Sequence, residues 1–409
     1  MPSLRVLDLT DEKGFLCGKI LGDLGADVIK IEPPGGDPGR SIGPFYHDIP
    51  DLQKSLFWFA YNSNKRGITL NIETRDGQEI FKKLASDAAF LIESFNPGYM
   101  DSLGLGYPVL SQINPRLIMV SITPFGQSGP YKDYKSSDII SMAMSGFMYI
   151  CGDADRPPVC PVAPQAYLNA GADAAAGAMI AYHHREMTGE GQHVDISMQE
   201  SVALSTYLAV AHWEISRFHM KRYGNSRLLG SRVLSRMVWP CKDGYVNFVI
   251  LGGATGSRTN KALTEWMDEE GILPDFMRAI DWDKFDLATV TEEQMDSLNE
   301  YVGRFLLKHT KTELYEWAIR TQAMLYPVSN SEDLLENVQL NDRHFWVKVD
   351  HPELGDTITY PGAWAISSEA NLNIRRRAPL IGEHNQEIYE GELGITKEKL
   401  AILKQSGVM

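Results

Sequence analysis

The stretch from residue 161 to residue 192 constrains the fold of this chain more than any other part of its sequence. Its middle is rich in small residues: Gly171, Ala172, Ala174, Ala175, Ala176, Gly177 and Ala178. Because alanine is the strongest helix former, we predict one helix over residues 168–187, which Gly189 ends. Side chains this small predict that another backbone packs closely against the helix. A tightly packed core helix is the plainest interpretation of the pattern.

Short apolar segments alternate with helical patterns along much of the chain. Strands are predicted at residues 4–9, 28–31, 68–72, 90–92, 117–123 and 193–198. Strands that alternate with helices predict an α/β fold with a doubly wound parallel sheet. In such a sheet, ligands bind at the carboxyl ends of the strands. A glycine-rich dinucleotide fingerprint is missing from the sequence.

Composition narrows the class of protein. The chain has 409 residues, of which 44% are hydrophobic, and a net charge of -14, which argues against general nucleic-acid binding. No apolar run is long enough to span a bilayer, and Met1 leads directly into a strand, so we expect neither a membrane anchor nor a signal peptide. Four scattered cysteines predict reduced thiols and a cytoplasmic protein, with no disulfide framework and no zinc site.

Several motifs resemble those of the family III CoA-transferases, a family that includes formyl-CoA transferase, carnitine CoA-transferase and the 2-methylacyl-CoA racemases. They are Gly25 to Pro38 (GADVIKIEPPGGDP), Asn62 to Arg66 (NSNKR), Glu93 to Gly98 (ESFNPG), Arg185 to Gln192 (REMTGEGQ) and Arg377 to His384 (RAPLIGEH). The resemblance implies a large Rossmann-like domain built from both chain ends, residues 1–220 and 328–409. It also implies a small inserted α+β domain, residues 221–327, and an interlocked dimer.

The family transfers CoA through a covalent intermediate. An aspartate attacks the donor thioester, which gives a mixed anhydride and then an aspartyl-CoA thioester, and the acceptor acid repeats these steps in reverse. Counting back without a gap from Gly171, the position of that aspartate is occupied by Tyr167. A phenol cannot carry CoA as a thioester. Asp173 imitates the family's aspartate motif, but its use requires a shift of six residues, about 9 Å along a helix.

The resemblance also assigns CoA contacts. Candidates for CoA binding are Leu70, Asn71, Ile72, Glu73, Ser94, Phe95, Asn96 and Lys135. Two positions that are arginine in the family's site are Pro33 and Ser102 here. CoA thioesters are expected as substrates, with no tightly bound cofactor and no metal.

Intact fold motifs beside altered site motifs indicate a non-catalytic, pseudoenzyme-like subunit of a heteromeric CoA-transferase. Its partner would be a second homologous subunit that carries the catalytic aspartate. The benzylsuccinate CoA-transferase of anaerobic toluene breakdown resembles such a case, with succinyl-CoA as the donor. Three alternatives stay open at this point: an active homodimer that uses Asp173, an acyl-CoA racemase, and a non-enzymatic CoA-binding module.

Overall fold

The computed structural model describes residues 4–229, 233–370 and 372–409. The strands are β1 (Arg5–Leu9), β2 (Asp27–Glu32), β3 (Lys65–Thr69), β4 (Phe90–Glu93), β5 (Ile118–Thr123), β6 (His193–Ser197), β7 (Ser226–Leu229), β8 (Val233–Arg236), β9 (Val238–Cys241), β10 (Gly244–Phe248), β11 (Leu325–Pro327), β12 (Trp346–His351) and β13 (Asp356–Pro361).

The α-helices alternate with these strands in the first half of the chain. They are α1 (Phe15–Asp23), α2 (Leu56–Asn62), α3 (Arg75–Ala85), α4 (Tyr99–Ser102), α5 (Tyr107–Ile113), α6 (Asp138–Met144), α7 (Gln165–Thr188), α8 (Met198–Leu204), α9 (Tyr207–Ser216), α10 (Gly253–Glu269), α11 (Asp275–Arg278), α12 (Glu292–Leu306), α13 (Lys311–Thr321), α14 (Ser331–Glu336), α15 (Val338–Asp342) and α16 (Lys397–Gln405). Short 3-10 helices lie at Pro38–Ser41, Tyr46–Asp48 and Met148–Ile150, and a π-helix lies at Gln386–Glu392.

A parallel sheet forms the centre of the fold, as the sequence predicts. Its strand order is β3-β2-β1-β4-β5-β6, and every neighbouring pair is parallel. This is the order of a Rossmann-like sheet, in which the direction of strand addition reverses between β1 and β4. Strands β1, β2, β4 and β5 are mostly apolar and almost fully buried because helices cover both faces, whereas the edge strand β6 is partly exposed.

Strand β3 differs from the prediction, which placed a strand at residues 68–72. The observed strand begins at Lys65 and ends at Thr69. Lys65 is fully buried and donates to the Asp8 carboxylate at 2.8 Å, while Arg66 donates to Asp27. Carboxylates neutralise both cations, so two charged residues can lie in a buried strand. A search for apolar residues does not detect this part of the strand.

Helix α7 has the close packing that its small residues predict. A Cβ atom added at Gly171 would lie 2.9 Å from the Cβ of Leu16 in α1, so these two helices approach each other closely there. Gly189 ends the helix with a left-handed φ of 82°, a conformation that glycine adopts without strain. The helix begins at Gln165, three residues earlier than predicted, so Tyr167 lies inside its first turn.

The chain divides into two compact units. One comprises the chain up to Phe147, Cys160–Arg217 and Val338–Met409, and the other comprises Met148–Val159 and Phe218–Asn337. In the first unit the C-terminal segment packs on the edge of the sheet, where the Tyr389 hydroxyl donates to the carbonyl of Thr69 at 2.8 Å. The predicted domain limits (1–220 with 328–409, and 221–327) and the interlocked dimer stay predictions.

The second unit has its own core. The antiparallel sheet β11-β10-β9 packs with α10, α12 and α13 around buried apolar residues such as Trp239 and Phe305. The glycine-rich segment 252–257, which we predict to be a flexible turn, instead begins α10 at Gly253. The reason is that Leu263 and Met267 are buried in this core, and the helix that carries them extends back to the glycines.

Helical patterns in the sequence also predict one helix over residues 200–219 and one over residues 334–346, and both are interrupted. The first is two helices, α8 and α9, which are separated at Ser205 and Thr206. The helix predicted at 334–346 is replaced by the end of α14, by α15, and by the start of β12 at Trp346. Helical periodicity continues through both breaks, so the pattern alone does not show where each helix ends.

Candidate functional site

The point where the strand order reverses lies between β1 and β4, and the loops after these two strands are tied together. The Ser94 hydroxyl accepts from the backbone N–H of Asp11 at 2.9 Å and lies 2.7 Å from Oδ1 of Asp11, to which it donates. The Lys13 ammonium pairs with the same carboxylate. A crevice at such a point is the usual ligand site of an open parallel sheet.

A cavity of about 350 Å³, the switch-point cavity, opens at this position. Its walls come from the segments that follow β1, β2, β3 and β4. Six of the residues predicted to contact CoA line it, namely Leu70, Asn71, Ile72, Glu73, Ser94 and Phe95. These residues are far apart in sequence, and the carboxyl ends of parallel strands bring them together.

The polar groups of the switch-point cavity are acidic or neutral. None of its lining residues, all of which lie in the described part of the chain, is a lysine or an arginine. Glu32 accepts from Arg40 at 2.6 Å and Asp37 pairs with Lys30 at 3.0 Å, so these two carboxylates are neutralised from inside the protein. The cavity therefore lacks a cation that could bind a phosphate group.

Glu73 is held at the rim of the switch-point cavity. The Tyr99 hydroxyl donates to Oε1 of Glu73 at 2.8 Å, and its ring contacts Phe95 with centroids 4.7 Å apart. Burial and the Glu73 carboxylate raise the pKa of Tyr99 to about 12, so the phenol remains a donor. This contact orients the Glu73 and Phe95 side chains.

The remaining predicted CoA contacts lie outside the switch-point cavity. Asn96 lines a separate cavity of about 340 Å³ that also contains Glu93 and His193. Lys135 is exposed on the loop before α6 and does not line the switch-point cavity. Ser102 is exposed at the end of α4, where its hydroxyl donates to the carbonyl of Tyr99 at 2.7 Å. Pro33 lines the switch-point cavity.

Tyr167 is fixed at the N-terminus of α7. Its hydroxyl oxygen accepts from the backbone N–H of Asp138 at 3.0 Å. The Asp138 carboxylate in turn accepts from the N–H groups of Ala166 at 2.8 Å and Tyr167 at 3.4 Å. Burial, with the nearby Glu12 carboxylate, raises the pKa of Tyr167 to about 12. The phenol is therefore neutral at physiological pH and is not activated as a nucleophile.

The N-terminus of a helix favours an anion, and in α7 that anion comes from α6. The backbone N–H groups at the start of α7 carry partial positive charge, which Asp138 neutralises as a cap from outside the helix. Burial raises the pKa of Asp138, although these backbone bonds oppose the shift. A second carboxylate, Glu12, lines the same small space as Tyr167, Pro164 and Leu168. Burial and the neighbouring Asp11 raise the pKa of Glu12.

Asp173 lies on α7, about 9 Å beyond Tyr167 along the helix axis. It is half-buried, and among the described residues its carboxylate has no hydrogen bond and no ion pair. The structure does not bring Asp173 to the switch-point cavity, since it is not among the residues that line it.

Comparison with known proteins identifies the family of the chain. Residues 1–385 match the pattern of CoA-transferase family III. The chain belongs to this family. It is 40% identical to succinyl-CoA:(R)-benzylsuccinate CoA-transferase subunit BbsE of Thauera aromatica, over 94% of this chain and 92% of that protein. It is 30% identical to formyl-CoA:oxalate CoA-transferase of Streptomyces avermitilis, over 100% of this chain and 99% of that protein.

A solved structure confirms the fold of the family III chain. The crystal structure of a CAIB/BAIF family protein from Brucella suis superposes with a TM-score of 0.82 at 26% sequence identity, over 95% of this chain and 98% of that one. Family III CoA-transferases use CoA thioesters as substrates. Across the described ranges, no cluster of three or more His, Cys, Asp or Glu side chains could hold a metal ion. A search of the same ranges finds no helix long and apolar enough to span a membrane.

Sequence reasoning missed several polar residues of this family III site. Asp11 lies two residues after β1, so its place near the end of a strand could have indicated it. Tyr99 lies four residues after Phe95, and the turn at residues 97–98, just before α4, brings their rings together. Asp138 had no signal, because its partner helix α7 begins 27 residues later in the chain, at Gln165.

Proposed function

We propose that this chain is the non-catalytic subunit of a CoA-transferase with two related subunits. The enzyme would move CoA from an acyl-CoA donor such as succinyl-CoA to a carboxylic acid in the cytoplasm. A homologous partner would carry the catalytic aspartate. The observation that carries this proposal is Tyr167, a neutral phenol held by Asp138 at the position where the family mechanism needs a carboxylate.

The surroundings of Tyr167 support the proposal. The positive end of α7, which would stabilise an ionised aspartate, is already occupied by the Asp138 carboxylate. The space beside Tyr167, Glu12 and Phe15 is only about 10 Å³, too small for a thioester. Asp173, the other acidic candidate, lies away from the switch-point cavity.

The electrostatics of the switch-point cavity favour weak CoA binding by this chain alone. CoA carries phosphate groups, and each charge-assisted hydrogen bond to a phosphate contributes about 1.5–3 kcal/mol. Pro33 and Ser102 stand where the family has arginines, and no lysine or arginine among the described residues lines the cavity. Calorimetry with the isolated chain should therefore show weak or undetectable CoA binding, and nanomolar binding without a partner would contradict this.

An exposed apolar surface supports a partner subunit. On α9, Leu208, Val210 and Ile215 are 63%, 62% and 84% exposed. A large exposed apolar patch on a protein surface marks an interaction site. We therefore expect light scattering to find the chain in an assembly of at least two subunits, and a compact monomer at micromolar concentration would count against the proposal.

The decisive experiment compares the chain alone with the chain co-expressed with its co-purifying partner. CoA transfer from succinyl-CoA to a carboxylic acid should require both chains. Borohydride added after the donor reduces an aspartyl-CoA thioester, and peptide mapping then locates the residue. We expect the reduced residue on the partner, and Asp173→Asn in this chain should leave the rate unchanged.

Glu186→Gln provides a matched control on α7, since Glu186 is an exposed carboxylate of the same helix. If this chain turned over unaided and Asp173→Asn, but not Glu186→Gln, abolished turnover, then Asp173 would be the nucleophile. The chain would in that case be an active enzyme by itself.

A further inference from the structure

The second cavity, of about 340 Å³, contains a row of polar side chains that the proposed function does not use. We name it the Glu93 cavity after the residue at its base; Ser121, His193, Tyr107 and Lys132 also line it. It lies entirely within the first compact unit.

The register of the sheet places three of these side chains in a line. Glu93 on β4 pairs with Ser121 on β5, and His193 on β6 pairs with Met119, two residues before Ser121. Residues two apart on a strand point to the same face, so Glu93, Ser121 and His193 share one face of the sheet. Ser121 lies between the other two. Its Oγ is 2.8 Å from Nε2 of His193, and on β5 it is the direct cross-strand neighbour of Glu93.

Glu93 is a buried acid without an ion-pair partner. It is 3% exposed, and within the described ranges it forms no salt bridge. From the loop after β1, Lys13 favours the charged form of Glu93 and Asp11 opposes it. Burial is the dominant influence, and it raises the pKa of Glu93 to about 7. Both protonation states of this carboxyl are thus accessible near neutral pH.

His193 stands at the exposed end of the row. Partial desolvation holds the pKa of His193 below its usual range, although the carboxylates of Asp195 on β6 and Asp101 on α4 oppose that shift. The Tyr107 ring from α5 stacks on the imidazole with centroids 5.7 Å apart. Lys132, on the loop after β5, is the cation that lines this cavity. The imidazole is therefore neutral at physiological pH.

We propose that Glu93, Ser121 and His193 form a proton relay that passes one proton between the Glu93 cavity and the buried carboxylate. His193 takes a proton at Nδ1 and gives the proton on Nε2 to Oγ of Ser121. Ser121 gives its own hydroxyl proton to Glu93. The imidazole ends neutral in its other tautomer, the hydroxyl is restored, and Glu93 becomes a carboxylic acid, so one proton has moved without a charged histidine.

The relay has a structural consequence beyond the cavity. Oε2 of Glu93 accepts from the backbone N–H of Phe95 at 2.7 Å. A hydrogen bond to a carboxylate is about twice as strong as one between neutral groups, so protonation of Glu93 loosens the hold on Phe95. Because Phe95 lines the switch-point cavity, Glu93 acts as a positioning residue for a segment that the proposed function assigns to CoA. The relay itself does not depend on that function, since a chain that binds no CoA would exchange the same proton.

Spectroscopy on the intact chain, without any ligand, tests the relay. Between about pH 5 and about pH 9, infrared difference spectra should show a protonated carboxyl band that Glu93→Gln removes. Over the same interval, nitrogen NMR of labelled histidine should show His193 changing from one neutral tautomer to the other. The two changes should share one midpoint.

Variants at Ser121 separate a relay from two independent titrations. Ser121→Ala should uncouple the two groups, so that His193 becomes a charged imidazolium and its midpoint differs from that of the carboxyl band. Ser121→Thr keeps the hydroxyl and should restore the shared midpoint. Glu93→Gln should abolish the tautomer change of His193. The proposal is overturned if Ser121→Ala behaves like the unchanged chain, if His193 of the unchanged chain becomes charged at the midpoint of the carboxyl band, or if Glu93 stays ionised.

Discussion

Lys65 and the switch-point cavity lie on the same sheet, but they differ in how charge is compensated. Lys65 is fully buried and donates to Asp8 at 2.8 Å, to the side chain of Asn62 at 2.9 Å and to the carbonyl of Phe15 at 3.0 Å. The cavity at the strand ends presents carboxylates, and no lysine or arginine among its described lining residues. Groups of the protein itself therefore satisfy the Lys65 ammonium, whereas the switch-point cavity offers no cation to a phosphate group.

This difference separates residues that the fold needs from residues that only a substrate needs. Burial alone would raise the pKa of Asp8, but Lys65 and Lys30 outweigh it and hold that pKa below its usual range. Removing one member of such a cluster leaves a buried charge without compensation. A cation that lined the switch-point cavity would compensate no buried carboxylate. If the chain by itself binds no phosphate, such a cation can be absent without a loss of folding stability.

The largest effect is expected at Lys65. Lys65→Met should lower the free energy of unfolding by about 3–5 kcal/mol, because Asp8 then stays buried without its nearest cation. Urea denaturation followed by circular dichroism measures the loss. Lys82→Met is the control, since the ion pair of Lys82 with Glu79 is exposed and contributes about 0–1 kcal/mol. Similar losses in both variants would show that the buried cluster contributes no special stability.

The stabilisation that Asp8 contributes to the folded protein depends on pH. Its pKa in the folded protein is lower than in the unfolded chain, so its contribution is fully present above the unfolded value of about 4 and is lost as the pH falls through the folded value. Asp8→Asn should therefore be less stable at neutral pH and should lose less further stability in acid. Unfolding curves at a series of pH values measure this, and parallel losses for both proteins would refute it.

Much of the scaffold can be predicted from sequence, for a physical reason. Apolar strands that alternate with helices determine a parallel sheet, and the carboxyl ends of such strands converge, so Leu70 and Ser94 could be expected to line one cavity. The position of Tyr167 follows from an uninterrupted helix, along which residues can be counted. In contrast, the start of β3 could not be predicted, because the strand begins at the charged residue Lys65. The contact of Asp138 with α7 could not be predicted either, because it forms only through tertiary packing. Charges that are compensated across the fold leave no local pattern.

An intermediate effect is expected when a cation is returned to the switch-point cavity. Pro33 lines this cavity, so Pro33→Arg would place a guanidinium at the cavity that the proposed function assigns to CoA. CoA affinity measured by calorimetry should rise about tenfold to a hundredfold, which corresponds to about 1.5–3 kcal/mol for one charge-assisted contact. The gain should shrink as salt is added.

Two controls isolate the charge in that experiment. Pro33→Gln removes the proline without adding a cation and should leave CoA affinity unchanged. Pantetheine, which lacks the phosphate groups, should bind Pro33→Arg no better than the unchanged chain. If pantetheine gained as much as CoA, the substitution would be acting through the shape of the cavity, and the contrast between the two regions would not rest on charge.

The smallest effect is expected at Tyr167, and it is the one that most sharply separates fold from chemistry. The hydroxyl of Tyr167 accepts one hydrogen bond, from the N–H of Asp138. Tyr167→Phe removes this acceptor and should lower the free energy of unfolding by about 0.5–1.5 kcal/mol, the usual contribution of one neutral hydrogen bond. Tyr245→Phe, at a site that is 56% exposed, should change stability by less than about 0.5 kcal/mol. The rate of CoA transfer by the assembled enzyme should not change, because a phenol with a pKa of about 12 does not attack a thioester. A large loss of rate with unchanged stability would mean that this hydroxyl contacts the substrate.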